Sequence, residues 1–127
     1  MNSFLSSRIL AFRYAFSGWW YVIRTQRNAW IHTVISVAAI AVSFWVGLPP
    51  RDWAVIIIAI AMVWTAEFLN TALEAVVDLA ADHQQHELAR VGKDVGAAAV
   101  LIAALSAVLI GLLILGPPLY RLLIGDF

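Results

Sequence analysis

The sequence predicts an all-α membrane protein: an N-terminal amphipathic surface helix and three transmembrane helices, in a single domain covering residues 1–127. Three observations predict it. Hydrophobic residues make up 63% of the 127 residues and charged residues only 13%, against roughly 45–50% and about 25% in soluble domains. Mean hydropathy is +0.88. The apolar residues gather into three runs, 30–48, 53–77 and 94–115, each close to the roughly 20 residues that cross a hydrocarbon core as a helix. Composition also excludes. A formal net charge of zero, with no basic stretch, leaves no footprint for nucleic acid. Zero cysteines exclude disulfides and thiolate metal sites. No signal peptide is expected, because the segment around Arg8 and Arg13 lacks a compact apolar core and a small-residue cleavage site.

Residues 3–25 read as the surface helix. Phe4, Leu5, Ile9, Phe12, Phe16, Trp19, Trp20 and Ile23 recur at helical spacing, with Arg8, Arg13 and Arg24 largely on other faces. That pattern carries too many charges to span and suits the headgroup boundary. Residues 26–32 read as a short polar connector, and His32 as a helix-end residue hydrogen-bonding near the headgroups. The first span covers 30–48 and stops at Pro49-Pro50-Arg51-Asp52, a tight turn. The second covers 53–77. Residues 80–90 form a polar loop or surface helix in which His83 and His86 read as solvated rather than as a metal pair. The third span, 94–115, opens on Gly92 and Gly96 among alanines, a small-residue face for close helix contact. Gly116-Pro117-Pro118 is expected to end it, leaving Tyr120, Arg121 and Asp126 in a tail. Trp19, Trp20, Trp30, Trp45 and Trp53 read as interfacial anchors and Trp64, mid-span, as core or lipid contact.

Lysine and arginine set the orientation. Arg8, Arg13, Arg24, Arg27, Arg90 and Lys93 lie on one side of the spans, and Arg51 and Arg121 on the other. The N-terminus and the 80–93 loop are therefore expected in the cytoplasm.

The second span carries Glu67, Asn70, Glu74 and Asp78 at steps of three, four and four. Residues so spaced share one helix face. Carboxylates inside a membrane segment cost about 2.5–3.5 kcal/mol each on insertion scales, so the stripe must meet protein, water or a ligand. From Asp78 at the cytoplasmic boundary it climbs about 15 Å into the inner leaflet to Glu67. Lys93 and Asp94 join it at the same level. Carboxylates with an amide oxygen suit Mg²⁺, a lysine suits phosphate, and a carboxylate withdrawn from water suits general-base work. The residues themselves leave two chemistries open: phosphoryl transfer and a proton or cation pathway.

The stretch Glu67-Phe68-Leu69-Asn70-Thr71-Ala72-Leu73-Glu74-Ala75-Val76-Val77-Asp78 resembles the signature of the small prokaryotic diacylglycerol kinase and undecaprenol kinase family. The resemblance extends to the amphipathic N-terminal helix, Asn28-Ala29-Trp30-Ile31-His32, and Lys93-Asp94 before Gly96-Ala97-Ala98-Ala99. It implies a homotrimeric lipid kinase of the bacterial inner membrane, multi-pass, with its active site on the cytoplasmic side. Such an enzyme phosphorylates a membrane lipid alcohol, undecaprenol or diacylglycerol, with ATP and Mg²⁺. On this resemblance Glu67 is the general base, and Asn70 lines the site near the transferred phosphate. Glu74 holds Mg²⁺, Asp78 and Lys93 contact nucleotide with Lys93 on phosphate, and Asp94 lies on the adenosine side. Gln26 stands where the best-known members carry a second metal-binding glutamate; it keeps a carbonyl oxygen and loses the charge. Arg8 is the nearest counterpart of the family's nucleotide-contacting N-terminal arginine. The segment around Asn28 and His32 is more similar to the undecaprenol kinase branch. Besides the kinase, the expectations include a small oligomeric proton or cation conductor and a family member weakened at Gln26.

Overall fold

The computed structural model describes residues 2–82 and 84–125, with side chains from Ser6 onward. The side chains of Phe4 and Leu5, and His83 and Asp126, lie outside the described residues. Four helices follow in order: α1 (Asn2–Thr25), α2 (Arg27–Trp45), α3 (Pro50–Ala80) and α4 (Glu87–Ile124). The described residues contain no strand. The last three helices are each long and apolar enough to cross a membrane, and α1 is not among them.

The junctions explain the boundaries. α1 and α2 are separated by one residue, Gln26, held extended at φ −99° and ψ 116°. The connector expected over 26–32 is therefore helical from Arg27 onward. Nothing in Arg27–His32 breaks a helix, and a single extended residue suffices to turn the chain. α2 ends in a Schellman motif. Gly47 takes φ +67°, Gly47 N donates to Phe44 O (3.2 Å), and Leu48 N donates to Ser43 O (3.1 Å). Pro49 then caps α3, with Pro50 in the first turn, where its missing N–H costs nothing. His86 caps α4, its Nδ1 accepting from Leu88 N at 3.2 Å. The Gly116-Pro117-Pro118 stop does not occur: α4 continues through both prolines to Ile124. The residue before a proline is normally excluded from helical geometry by its side chain; Gly116 lifts that restriction at Pro117, whereas Pro118 follows Pro117 and has no such relief.

α3 and α4 form the principal pair. An ideal Cβ on Gly92 would lie 3.5 Å from Val77 Cγ2, and one on Gly96 would meet Asn70 and Leu73. Rising numbers on α4 match falling numbers on α3, so the pair is antiparallel, and the small-residue face lies against the polar stripe. α1 joins at its C-terminal end. Trp19 stacks on Trp64 (centroids 4.8 Å, 30°) and meets Phe68 edge-on (5.1 Å). Val22, Ala29 and Trp64 form a buried cluster there. Trp19 is thus a packing residue as well as an interfacial one. Upstream, Ile9, Phe12 and Phe16 remain about 70% exposed, as a membrane-surface face requires.

The chain exposes 9688 Å². A compact soluble monomer of 14.0 kDa would expose about 6,700 Å². The excess is largely apolar side chain on the three long helices, surface that lipid or further protein covers. At 1.5 Å per residue the 31-residue α3 is about 46 Å long and the 38-residue α4 about 57 Å, both longer than the roughly 30 Å hydrocarbon core. The helix ends that carry Glu74, Asp78, Lys93 and Asp94 therefore reach the membrane boundary or beyond.

Candidate active site

Three helices, α2, α3 and α4, and one inter-helix residue build the site. Glu67 is buried on α3 at 1% exposure. Thr71 Oγ1 donates to Glu67 O one turn back (2.9 Å), which satisfies the buried hydroxyl. Asn70, one turn on, is 9% exposed. Its Nδ2 donates to Glu74 Oε1 at 3.1 Å, and its Oδ1 is buried without a partner among the described residues. Glu74 is half-buried. Its second oxygen, Oε2, accepts from Gln26 Nε2 at 3.4 Å. The extended residue between α1 and α2 thus reaches the stripe, 48 positions away in sequence. Asp78 pairs with Lys93 across the α3–α4 contact at 2.5 Å, both side chains being partly exposed. Asp94, exposed, is held by Arg90 at 3.2 Å.

Asp78, Lys93, Asp94 and Arg90 border an open cleft of about 720 Å³, completed by residues 84–87 of the α3–α4 loop and helix start. A second groove of about 700 Å³ lies between α3 and α4 on the apolar side, lined by Met62, Leu69, Leu73, Ile102 and Ala103 among others. Asn70 and Gly96 lie at its wall. A wet cleft with a lysine and carboxylates, and an apolar groove touching the same stripe, suit one water-soluble and one lipid-soluble reactant.

Glu74 supplies a carboxylate, and Asn70 and Gln26 supply amide oxygens. No cluster of three or more His, Cys, Asp or Glu able to hold a metal occurs among the described residues. This oxygen set fits Mg²⁺ arriving with phosphates, which commonly takes only one or two carboxylates from protein. Gln26 turns its amide nitrogen toward Glu74, so sharing a cation with Glu74 requires that amide to flip.

The structure brings Glu67, Asn70, Glu74 and Gln26 into one buried-to-half-buried line and places Asp78, Lys93 and Asp94 at the cleft. Sequence reasoning missed His32. Read as a headgroup residue, it instead faces inward, its Nε2 3.5 Å from Glu67 Oε2 and its side chain 12% exposed. The signal was available: an ionisable residue within an apolar run is costly unless it meets a partner. Arg90 was also missed as a bordering residue of the cleft.

Helices of this length, with ionisable groups gathered at one end between a wet cleft and an apolar groove, define a small integral-membrane protein built to handle a lipid at the bilayer boundary. The family model for prokaryotic diacylglycerol kinase matches residues 13–115. A diacylglycerol kinase of Synechocystis is 44% identical over 116 residues, covering 91% of this chain and 66% of that protein. An undecaprenol kinase of Bacillus subtilis is 38% identical over 119 residues, covering 94% of this chain and 93% of that protein. A diacylglycerol kinase of Escherichia coli is 34% identical over 96 residues, 70% of this chain and 78% of that protein. The chain belongs to the prokaryotic diacylglycerol kinase family, and with it to the lipid kinases.

Proposed function

We propose that the protein transfers the γ-phosphoryl group of ATP to the hydroxyl of a membrane lipid alcohol, undecaprenol or diacylglycerol, at the cytoplasmic face of a bacterial inner membrane. One observation carries this reading: a buried carboxylate, Glu67, lies on the same helix face as Glu74 and Asp78, which lead outward to a lysine-bearing cleft. Glu67 takes the hydroxyl proton as the lipid oxygen attacks. Asn70 lines the path of the transferred group. Lys93 binds phosphate, and Asp78 and Asp94 border the nucleotide. Glu74 and Gln26 would hold Mg²⁺, which would supply neutralisation of phosphate charge. Phosphoryl transfer asks little covalent chemistry of the protein, mainly positioning and charge neutralisation, and this residue set supplies both.

A homotrimer is part of the proposal. The large exposed apolar surface of one chain, and a nucleotide cleft open on one side, both suit completion by further copies. The excess of Arg and Lys at the N-terminus and around residue 90 supports the cytoplasmic placement. The test is a paired assay in mixed micelles with labelled ATP and Mg²⁺, offering undecaprenol or diacylglycerol, with Glu67→Gln as control. Label transfer that disappears in the variant supports the reading, and the preferred lipid fixes the substrate. Ion flux in liposomes without phosphorylated product would favour a conductor instead. Nucleotide binding without product, with turnover restored by Gln26→Glu, would mark a member weakened at that position.

A further inference from the structure

We infer that His32 is the positioning residue for Glu67, forming with it a buried histidine–carboxylate pair; this rests on the reading of Glu67 as the base. Three observations on the two residues support it. His32 Nε2 and Glu67 Oε2 are 3.5 Å apart, on helices that pack together. Both atoms are buried, and neither has another hydrogen-bond partner among the described residues. A buried carboxylate oxygen without a donor is costly, about 1–3 kcal/mol or more for a charged group, and the imidazole N–H is the donor placed to answer it.

The imidazole is itself held. Its ring meets Trp64 edge-on, with centroids 6.2 Å apart at 69°. The Trp64 indole N–H donates to Ser36 Oγ at 3.3 Å, and its face is covered by Trp19 of α1. A continuous stack therefore runs from the surface helix through Trp19 and Trp64 to His32 and ends on Glu67. A contraction of a few tenths of an ångström brings the pair to hydrogen-bond length. With Nε2 protonated, His32 fixes Oε2 and leaves Oε1 free to face the lipid hydroxyl. In the transfer, the lipid oxygen bonds to the γ-phosphorus while the bond from that phosphorus to the bridging oxygen of ADP breaks. The hydroxyl proton passes to Glu67. His32 touches neither reactant; it sets the direction in which Glu67 presents its acceptor lone pair.

The test compares His32→Gln, which keeps an N–H at similar reach, with His32→Leu, which keeps bulk and removes the donor. His32→Leu is expected to lower kcat tenfold to a hundredfold with KM for ATP and lipid within twofold of the parent, and His32→Gln to recover most of the loss. Equal behaviour of the two variants overturns the inference. Glu67→Gln is assayed in parallel, so that retained turnover there marks failure of the base assignment instead. Should His32→Leu not fold, ¹⁵N-histidine NMR of the full chain in micelles still decides. The His32 ring signals are expected to shift in Glu67→Gln and not in Glu87→Gln, and unchanged signals overturn the pairing.

Discussion

Gly96→Ala is the sharpest test of how the helix pair holds the site. An ideal Cβ at Gly96 would overlap Asn70 Oδ1 at a separation that real Cβ atoms do not adopt, and would lie 3.1 Å from Leu73 Cδ2. Both neighbours are on α3, so the added methyl pushes the two helices apart or rotates Asn70 away from Glu74. Overpacking of this kind costs about 1–3 kcal/mol. At about 4 °C of Tm per kcal/mol for a chain of this size, the expected loss is about 4–12 °C in detergent. Turnover should fall further than stability, because the 3.1 Å bond from Asn70 to Glu74 depends on the displaced side chain. Gly111→Ala is the control: nothing lies within 4 Å of its Cβ position, so the loss of glycine flexibility should leave stability equal or slightly raised. The clash with Oδ1 is removed in an Asn70→Ala background, leaving the Leu73 contact. A double-mutant cycle should therefore return a coupling of about 1 kcal/mol or more between positions 70 and 96. If Gly96→Ala costs the same with and without Asn70, or no more than Gly111→Ala, the close α3–α4 approach is refuted.

Glu67→Gln and Glu74→Gln should each abolish lipid phosphorylation, while Asp82→Asn, exposed and outside both the cleft and the groove, should retain it; the micelle assay decides, and near-normal rates in the first two would sink the mechanism. Gln26→Glu sets a second carboxylate beside Glu74 Oε2, where like charges about 4 Å apart repel by about 4 kcal/mol at an effective dielectric of 20. Mg²⁺ should then raise Tm more in the variant than in the parent and half-activate at lower concentration; equal Tm shifts with Mg²⁺ and with EDTA would place the cation elsewhere. Trp19→Ala removes the stack on Trp64 and the contact with Phe68. Such aromatic pairs contribute about 0.5–1.5 kcal/mol beyond area burial. Protease cutting near residues 19–26 should therefore accelerate in bilayers, and an unchanged rate would mean α1 is held by lipid alone.

Periodicity made the helices legible, and one-residue events blurred their edges. The three spans and the surface helix follow from apolar runs and charge placement, which depend only on local composition. The break at Gln26 was read too broadly because nothing in 26–32 distinguishes a single extended residue from a longer loop. Pro117 and Pro118 read as a stop because a double proline ends most helices; Gly116 eases the steric conflict at Pro117 alone, and local sequence does not explain why the helix passes Pro118. The stripe from Glu67 to Asp78 was visible because helix geometry alone puts those residues on one face. The meeting of Gln26 with Glu74 came from resemblance, not from spacing. The need of His32 for a partner is legible in the apolar run around it, but the identity of that partner is not. It depends on the rotation of α2 against α3, set by Ala29, Val22 and Trp64, and no local pattern encodes that rotation.

A lipid kinase must let a base work away from water while its nucleotide remains in water. Along one face of α3 exposure rises from 1% at Glu67 and 9% at Asn70, through half-buried Glu74, to 45% at the Asp78 side chain. On the proposed mechanism the dry end keeps water from the place of the lipid hydroxyl, so ATP is not lost to hydrolysis. On the same mechanism the wet end lets the charged phosphates enter without full desolvation, which for an isolated ion would cost several kcal/mol or more. The two ends lie about 15 Å apart along the helix, roughly half the thickness of the hydrocarbon core. α3 is about 46 Å long, so its inner part lies in hydrocarbon while its end reaches the headgroups. Gln26 makes the same crossing from the other side: the one non-helical residue between α1, at the surface, and α2, in the membrane, touches the carboxylate midway along the gradient. On the proposed mechanism, the position of Glu74 between dry base and wet cleft is where charge must be neutralised as phosphate passes from one to the other.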